Sequence, residues 1–154
     1  MGEGLDSEYR LRLLERDDFG KGYVQLLAQL TSADGLTEEA FQAIFDHRQA
    51  LTETYRSVVI EHVPSSQVVA TATLLVEKKF VHKGSSVGHI EDVVVDAGHR
   101  KKGLAKQALA FLEQEAKNLN CYKIILDCSD ENVPVYEKSG YKPCQRQMRL
   151  DLPH

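Results

Sequence analysis

The chain has 154 residues, 42% apolar and 27% charged, with a formal net charge of -4. That length suits one domain, residues 1–154, able to bury about two thirds of its unfolded surface. Mild acidity excludes a nucleic-acid backbone as partner, and no apolar run nears the roughly 18 residues of a membrane span, so no membrane contact is expected.

In chain order, residues 9–14 alternate apolar and basic, the period of a half-buried strand. Asp17 and Asp18 stand where a helix cap belongs, and Leu26, Leu27 and Leu30 mark the inner face of a helix running to about residue 30. Residues 31–35 break the pattern. Thr37, followed by Glu38 and Glu39, opens a second helix whose Phe41, Ile44, Phe45 and Arg48 fall at the helical interval. Residues 57–62 read as a strand, Pro64-Ser65-Ser66 as a turn, and residues 67–77, rich in β-branched side chains, as a long strand. Residues 83–86 form the most flexible-looking loop. The run Ile90 to Val95 is a strand, Asp96-Ala97-Gly98 a turn, Arg100 to Gly103 a cationic loop, and residues 104–119 a helix. Residues 121–128 (CYKIILDC) are a further strand, Asn132 to Tyr136 a short helix, and residues 147–152 a last strand. Strands flanking both late helices imply a mixed α/β fold, its sheet containing a parallel crossover from the Ile90 strand to the Ile124 strand.

Residues 1–7 lack the charged and apolar regions of a leader. Cys121, Cys128 and Cys144 have no CxxC spacing, so neither a metal nor a disulfide framework is expected. A reducing intracellular setting fits, the cytoplasm by default, with a peroxisome-like organelle also compatible. His47, His62, His89 and His99 lack ligand spacing as well.

The cationic loop meets its helix where backbone N–H groups have no intrahelical partner and the helix dipole is positive, a setting that suits a phosphate. Glu91 and Asp92 interrupt an apolar strand at a desolvation cost unless paired. Strand neighbours face opposite ways, so one carboxylate is expected to reach a substrate while the other serves a loop or subunit contact. Cys128 alternates onto the face of Leu126 with no evident base, which reads as core rather than nucleophile.

Arg100-x-x-Gly103-x-Ala105 resembles the diphosphate loop of the GCN5-related N-acetyltransferase (GNAT) superfamily, with Ala where Gly is commoner. Asn132-x-x-x-Tyr136 and Gly140-Tyr141 resemble that superfamily's late helix and turn. Within it, Gly88-His-Ile-Glu-Asp92 and the strand from Cys121 to Cys128 are similar to the glucosamine 6-phosphate N-acetyltransferases. The resemblance implies a central twisted mixed sheet flanked by about four helices, with acetyl-coenzyme A as cosubstrate and glucosamine 6-phosphate as small-molecule substrate, in UDP-N-acetylglucosamine synthesis. It implies that the backbone of Val93, Val94 and Val95 takes the pantetheine arm as an added strand would. The diphosphate falls to Arg100, Lys101, Lys102, Gly103, Leu104, Ala105 and Lys106, with Asn132 at the cofactor or capping its helix.

Asp127 is implied to lie at the reacting amine with Glu91, and the Tyr136 hydroxyl to meet the thiolate as it leaves. Sugar and phosphate contacts fall by resemblance to Thr31, Lys79, Phe80, Val81, His82, Asp92, Val93, Tyr122 and Lys123, some of them across a homodimer interface with shared sites. A basic residue expected three positions after Met148 is replaced by Asp151, leaving Arg149 as substitute. Two alternatives stand beside this reading: an acetyltransferase of the same fold for protein amines or polyamines, and a non-enzymatic acyl-coenzyme A binding module.

Overall fold

Five strands form one sheet in sequential order: β1 (Tyr9–Leu13), β2 (Tyr55–His62), β3 (Gln67–Lys78), β4 (Ser86–Val95) and β5 (Cys121–Ile125). The computed structural model describes residues 4–154; part of the leader reading at residues 1–7 and the outer end of the expected 1–154 domain lie outside them. The first four strands form an antiparallel meander. The fifth runs parallel to β4, as the crossover expectation requires. The helices are α1 (Tyr23–Ala28), α2 (Glu38–Gln49), α4 (Leu104–Asn118) and α5 (Val133–Glu137), and α3 (Val81–Gly84) is a single turn whose His82 and Lys83 are left-handed, at φ 50 and 58.

Helix α4 is the crossover, and its Leu104, Ala108, Leu109, Leu112 and Ala116 are buried. They recur at the helical interval and pack on Val58, Ile60, Ala72, Leu74 and Ile90 of the sheet. On the other face Tyr23, Val24, Leu26 and Phe41 cover Val59, Val68 and Val94. Phe41 is the centre of that second cluster, its ring centroid 5.6 Å from Phe19 and 5.7 Å from Tyr23. Truncating a fully buried leucine such as Leu109 or Leu112 should cost about 2–5 kcal/mol.

Several expectations are corrected. The first helix is broken: a 3-10 turn, Arg16–Lys21, is followed by Gly22 in the left-handed region at φ 82, and α1 then ends at Ala28, leaving Leu30 exposed. Asp18 is buried inside that turn rather than standing before a helix, and its Oδ2 accepts the Glu15 N–H at 2.7 Å. The loop expected at residues 83–86 is shorter, because Ser86 is already buried at the start of β4. Strand β5 stops at Ile125, so Asp127 and Cys128 lie past the sheet, and both are exposed. Cys128 is therefore not core. Residues 147–152 form no strand, since among the described residues no strand lies beside them, and residues 142–154 are exposed throughout.

Candidate active site

Strand β4 has two different edges. Against β3 it is paired as far as Ala70↔Val95, but its pairing with β5 ends at His89↔Ile125. Among the described residues no strand adjoins Ile90 to Val95 on that side, so their outward backbone groups can accept an extended ligand. This is the stretch of Val93, Val94 and Val95 to which the sequence assigns the cofactor arm.

Within the same stretch the strand is not regular. Register jumps from Thr73↔Glu91 to Thr71↔Val94, three steps on β4 against two on β3, and Asp92 sits in the left-handed region at φ 52. That is a β-bulge, which bends a strand and re-aims its side chains. It inverts the parity that simple alternation gives: Ile90, Val93 and Val95 face the α4 core while Val94 is buried in the α1–α2 core. The expectation that Glu91 and Asp92 must face apart rested on regular alternation and does not apply across a bulge. Asp tolerates φ above zero better than most residues.

Cross-strand pairing sets Glu91 opposite Thr73, and the continuation of β5 carries Asp127 alongside. Glu91 is exposed at the opening, and its carboxyl is pushed up from its ordinary value by partial desolvation first, then by the charges of Asp92 and Asp127, with His89 opposing. A carboxylate raised this way is a better proton acceptor near neutral pH. Three acids around one opening also make a cationic ammonium welcome there.

At the far end of β4 the chain turns through Ala97–His99 into the cationic loop. Lys101 and Gly103 both have positive φ, 63 and 73, a backbone form that turns successive N–H groups inward around an anion. Gly103 precedes α4 without a side-chain cap, and the helix's backbone bonding starts at Gln107 N–H donating to Gly103 C=O, 3.1 Å. The amides of Leu104, Ala105 and Lys106 thus belong to the orphan first turn. Leu104 is buried, Ala105 half-buried, and Arg100, Lys101, Lys102 and Lys106 are exposed. Arg100 Nε reaches back to the Val95 carbonyl at 3.4 Å.

Tyr136 packs half-buried against the α4 core, its ring edge-on to Tyr141 at 6.1 Å. Burial pushes its phenol up, and Cys128 adds to the shift. The proton therefore stays on the oxygen through the neutral range, available for donation. Neighbouring Tyr141 is pushed up by burial and then by the Glu113 carboxylate. Asn132 forms no side-chain cap on α5, against the capping expectation.

The residues assigned to sugar phosphate divide into those the fold gathers and those it does not. His82 stacks on Tyr122 at 3.9 Å and Lys123 Nζ lies 5.5 Å from the Tyr122 ring centroid, so the α3 turn and β5 meet there. Phe80 and Val81 are exposed at the β3–β4 tip. Lys79 is close by but engaged: its Nζ is 2.6 Å from Glu77 Oε1, and Glu77 Oε2 is 2.9 Å from His89 Nε2. Glu77 and His89 carry no site assignment from the sequence. Their signal was the β3–β4 hairpin register, which sets them diagonally across the pair. Thr31 lies exposed past the end of α1, its N–H donating to Leu27 C=O. Among the described residues Arg149 pairs with its tail neighbour Asp151 alone, Nε to Oδ1 2.7 Å, and is not brought to the other site residues.

A cleft of about 570 Å³ opens elsewhere, between the first 3-10 turn, α1 and the start of β3, with Gln25, Gln29, Gln67, Asp96 and His99 on its walls. It contains none of Glu91, Asp127 or Tyr136, so its volume does not mark the chemistry. Among the described residues no cluster of three or more His, Cys, Asp or Glu could hold a metal, and no helix is long and apolar enough to cross a membrane.

Comparison with known proteins identifies the family and the fold. The acetyltransferase (GNAT) family pattern matches residues 16–141. A glucosamine 6-phosphate N-acetyltransferase of Arabidopsis thaliana is 41% identical over 140 residues, covering 91% of this chain and 94% of its own. Its counterpart from Trypanosoma brucei brucei is 39% identical over 145 residues, 94% of this chain and 97% of its own. A crystal structure of the glucosamine-6-phosphate N-acetyltransferase from Arabidopsis thaliana superposes with a TM-score of 0.92 at 39% identity, covering 94% of this chain and 99% of that one.

Proposed function

The chain belongs to the acetyltransferase (GNAT) family, and from that premise we propose that it moves acetyl from acetyl-coenzyme A to the amine of D-glucosamine 6-phosphate. The products are N-acetyl-D-glucosamine 6-phosphate and coenzyme A, serving UDP-N-acetylglucosamine synthesis. Relatives covering nearly the whole chain are glucosamine 6-phosphate N-acetyltransferases. The observation that carries the reading is the parting of β4 from β5 after His89↔Ile125, beside left-handed Asp92, with Glu91 and Asp127 at the opening.

The thioester arm lies along Val93 to Val95, its diphosphate held by the amides from Gly103 to Lys106 with Arg100, Lys101 and Lys102 around them. The sugar ammonium enters between Glu91 and Asp127, gives up a proton, and the free amine attacks the thioester carbonyl directly. Backbone N–H groups at the bulge favour the oxygen's developing charge. As the carbon–nitrogen bond forms, the carbon–sulfur bond breaks and the Tyr136 hydroxyl donates to the leaving thiolate. Asp127 and Glu91 take up the nitrogen's protons, with Asn132 beside the cofactor.

For the sugar phosphate, Lys123 and Lys79, the latter shared with Glu77, supply cations, and Thr31, Phe80, Val81, His82, Asp92 and Tyr122 frame the sugar. These cations disfavour a polyamine or basic-peptide acceptor, and the acids at the opening disfavour a chain that only binds coenzyme. A homodimer completes the site. Its support is the exposed tail, where Met148, Leu150 and Leu152 are 91%, 85% and 76% exposed in strand alternation with Arg149. All three cysteines are free, which supports a reducing compartment, the cytoplasm by default.

A thiol-release assay with acetyl-coenzyme A tests the reading over glucosamine 6-phosphate, glucosamine, spermidine and a lysine peptide. Release that requires the 6-phosphate is expected. Equal release with glucosamine, or faster release with spermidine or the peptide, would overturn the acceptor assignment.

A further inference from the structure

We propose that Tyr9, on the first strand and ninety residues upstream of the cationic loop, is a positioning residue for the diphosphate of the coenzyme, an inference that rests on the acetyl-coenzyme A reading. The ring of Tyr9 is buried, 7% exposed, in the core that includes Leu104 and Ala108 of α4. Packing therefore fixes it in place. Its hydroxyl reaches the rim, where it shares a hydrogen bond with His99 Nδ1 at 2.8 Å. The His99 ring meets the phenol edge-on, 5.7 Å between centroids at 90°. His99 is the residue just before Arg100.

On the far side of Arg100 and Lys101, Lys102 Nζ stands 5.9 Å from the centroid of the same phenol. Both flanks of the anion loop thus rest on one aromatic ring, and the two exposed cations arch between them. An ammonium over a ring face is held without a carboxylate neutralising it, so its charge stays available to an anion. His62 of β2 backs His99 with ring centroids 4.8 Å apart, and is itself held by Ser65 Oγ at 2.7 Å, with Glu8 Oε2 3.9 Å from its Nε2. The cationic loop is exposed, with Lys101 in a left-handed conformation at φ 63. Clamping its two ends lowers the ordering cost that coenzyme binding would otherwise carry.

Tyr9→Phe removes the hydroxyl and keeps the ring, while His99→Ala removes the other half of the same bond. Acetyl-coenzyme A affinity is read by calorimetry without acceptor, and turnover is compared between acetyl-coenzyme A and S-acetyl-pantetheine, which has the thioester and amide arm but no diphosphate. Each variant is expected to weaken acetyl-coenzyme A binding roughly five- to tenfold. The double variant should be no weaker than the worse single one, and kcat/KM for S-acetyl-pantetheine should hold at the parent level. An unchanged acetyl-coenzyme A affinity overturns the proposal. So does an equal loss with both thioesters, which a merely structural role would give. Because affinity is read without acceptor, a chain that binds acetyl-coenzyme A yet ignores glucosamine 6-phosphate loses only its acceptor assignment, and the Tyr9 comparison still decides.

Discussion

Arg12 grips Asp18 with both ends of its guanidinium, Nη1 to Oδ2 at 2.8 Å and Nη2 to Oδ1 at 2.7 Å, and Asp18 is fully buried. The same guanidinium donates from Nε and Nη2 to Glu61 Oε2, at 3.1 and 2.8 Å. β1, β2 and the 3-10 turn that leads into α1 are thereby tied together at one ionic centre. Removing the cation leaves the fully buried Asp18 carboxylate without its guanidinium, while Glu61 keeps Arg10 at 3.0 Å and the more distant Lys21, so Arg12→Leu should cost about 3–5 kcal/mol, read as a lower urea midpoint at unchanged slope. The Arg12 hydrogen bond holds the Glu61 carboxyl below its ordinary range, with Arg10 contributing less. A depressed carboxylate contributes stability above its unfolded value and loses it as pH falls through the folded one. The parent should therefore lose stability on acidification below the ordinary glutamate range, and Arg12→Leu should show a shallower loss.

Glu91 has the opposite sign. Partial desolvation, Asp92 and Asp127 raise its carboxyl above the ordinary value, so the base form appears only as pH rises past that raised value. The acid limb of kcat/KM should accordingly sit above the normal glutamate range, and Asp92→Asn should move it to lower pH. A raised carboxyl in the folded state costs stability as pH rises through it. Glu91→Gln should thus abolish most turnover and leave the melting temperature at neutral pH equal or slightly higher. A pH–rate profile of Asp92→Asn that overlays the parent's would remove this electrostatic coupling.

Tyr136 is expected to act only as the thiolate departs, when charge develops on sulfur. Tyr136→Phe should lower kcat by about 10²-fold with the KM for acetyl-coenzyme A nearly unchanged. Since burial raises the phenol, no basic limb from this group should appear in the parent below pH about 10. Steady-state kinetics with varied acetyl-coenzyme A separates the two constants, and a proportionate rise in KM would reassign Tyr136 to cofactor binding.

What the sequence left open follows from the range of the interactions involved. Helices α2 and α4 were legible because their period repeats along the chain itself, and the individual strands β2 and β3 because apolar and β-branched runs mark them. Gly22 splits the first helix through its left-handed backbone at φ 82, a conformation glycine adopts freely, and the Gln67 Oε1 that an added Cβ would meet at 2.6 Å is the movable end of a side chain. The bulge at Asp92 is defined by the register of β3 and invisible from β4 alone. Gly103 and Gly88 read alike as letters but differ physically. Around Gly103 there is open space, so its positive φ is what requires glycine, whereas a Cβ at Gly88 would press to 2.9 Å from Leu74 Cδ1. The acids at the opening were legible as residues that had no business in an apolar strand, but the engagement of Lys79 by Glu77 was not, because it needs the hairpin closed.

The tail is the remaining case, and it bears on assembly. Met148, Leu150 and Leu152 alternate with Arg149 and Asp151, a strand pattern, yet among the described residues no strand adjoins them and all are exposed. Apolar side chains in strand alternation gain from cover by a partner surface. With the edge of β4 beyond His89 given to the coenzyme arm, a second copy could supply that cover and bring its Arg149 toward the sugar phosphate. Met148→Glu with Leu150→Glu should then convert a dimer to a monomer in sedimentation and raise the KM for glucosamine 6-phosphate more than that for acetyl-coenzyme A. A tail variant that stays dimeric with unchanged KM, or a parent that sediments as a monomer, would leave the site to be completed within one chain.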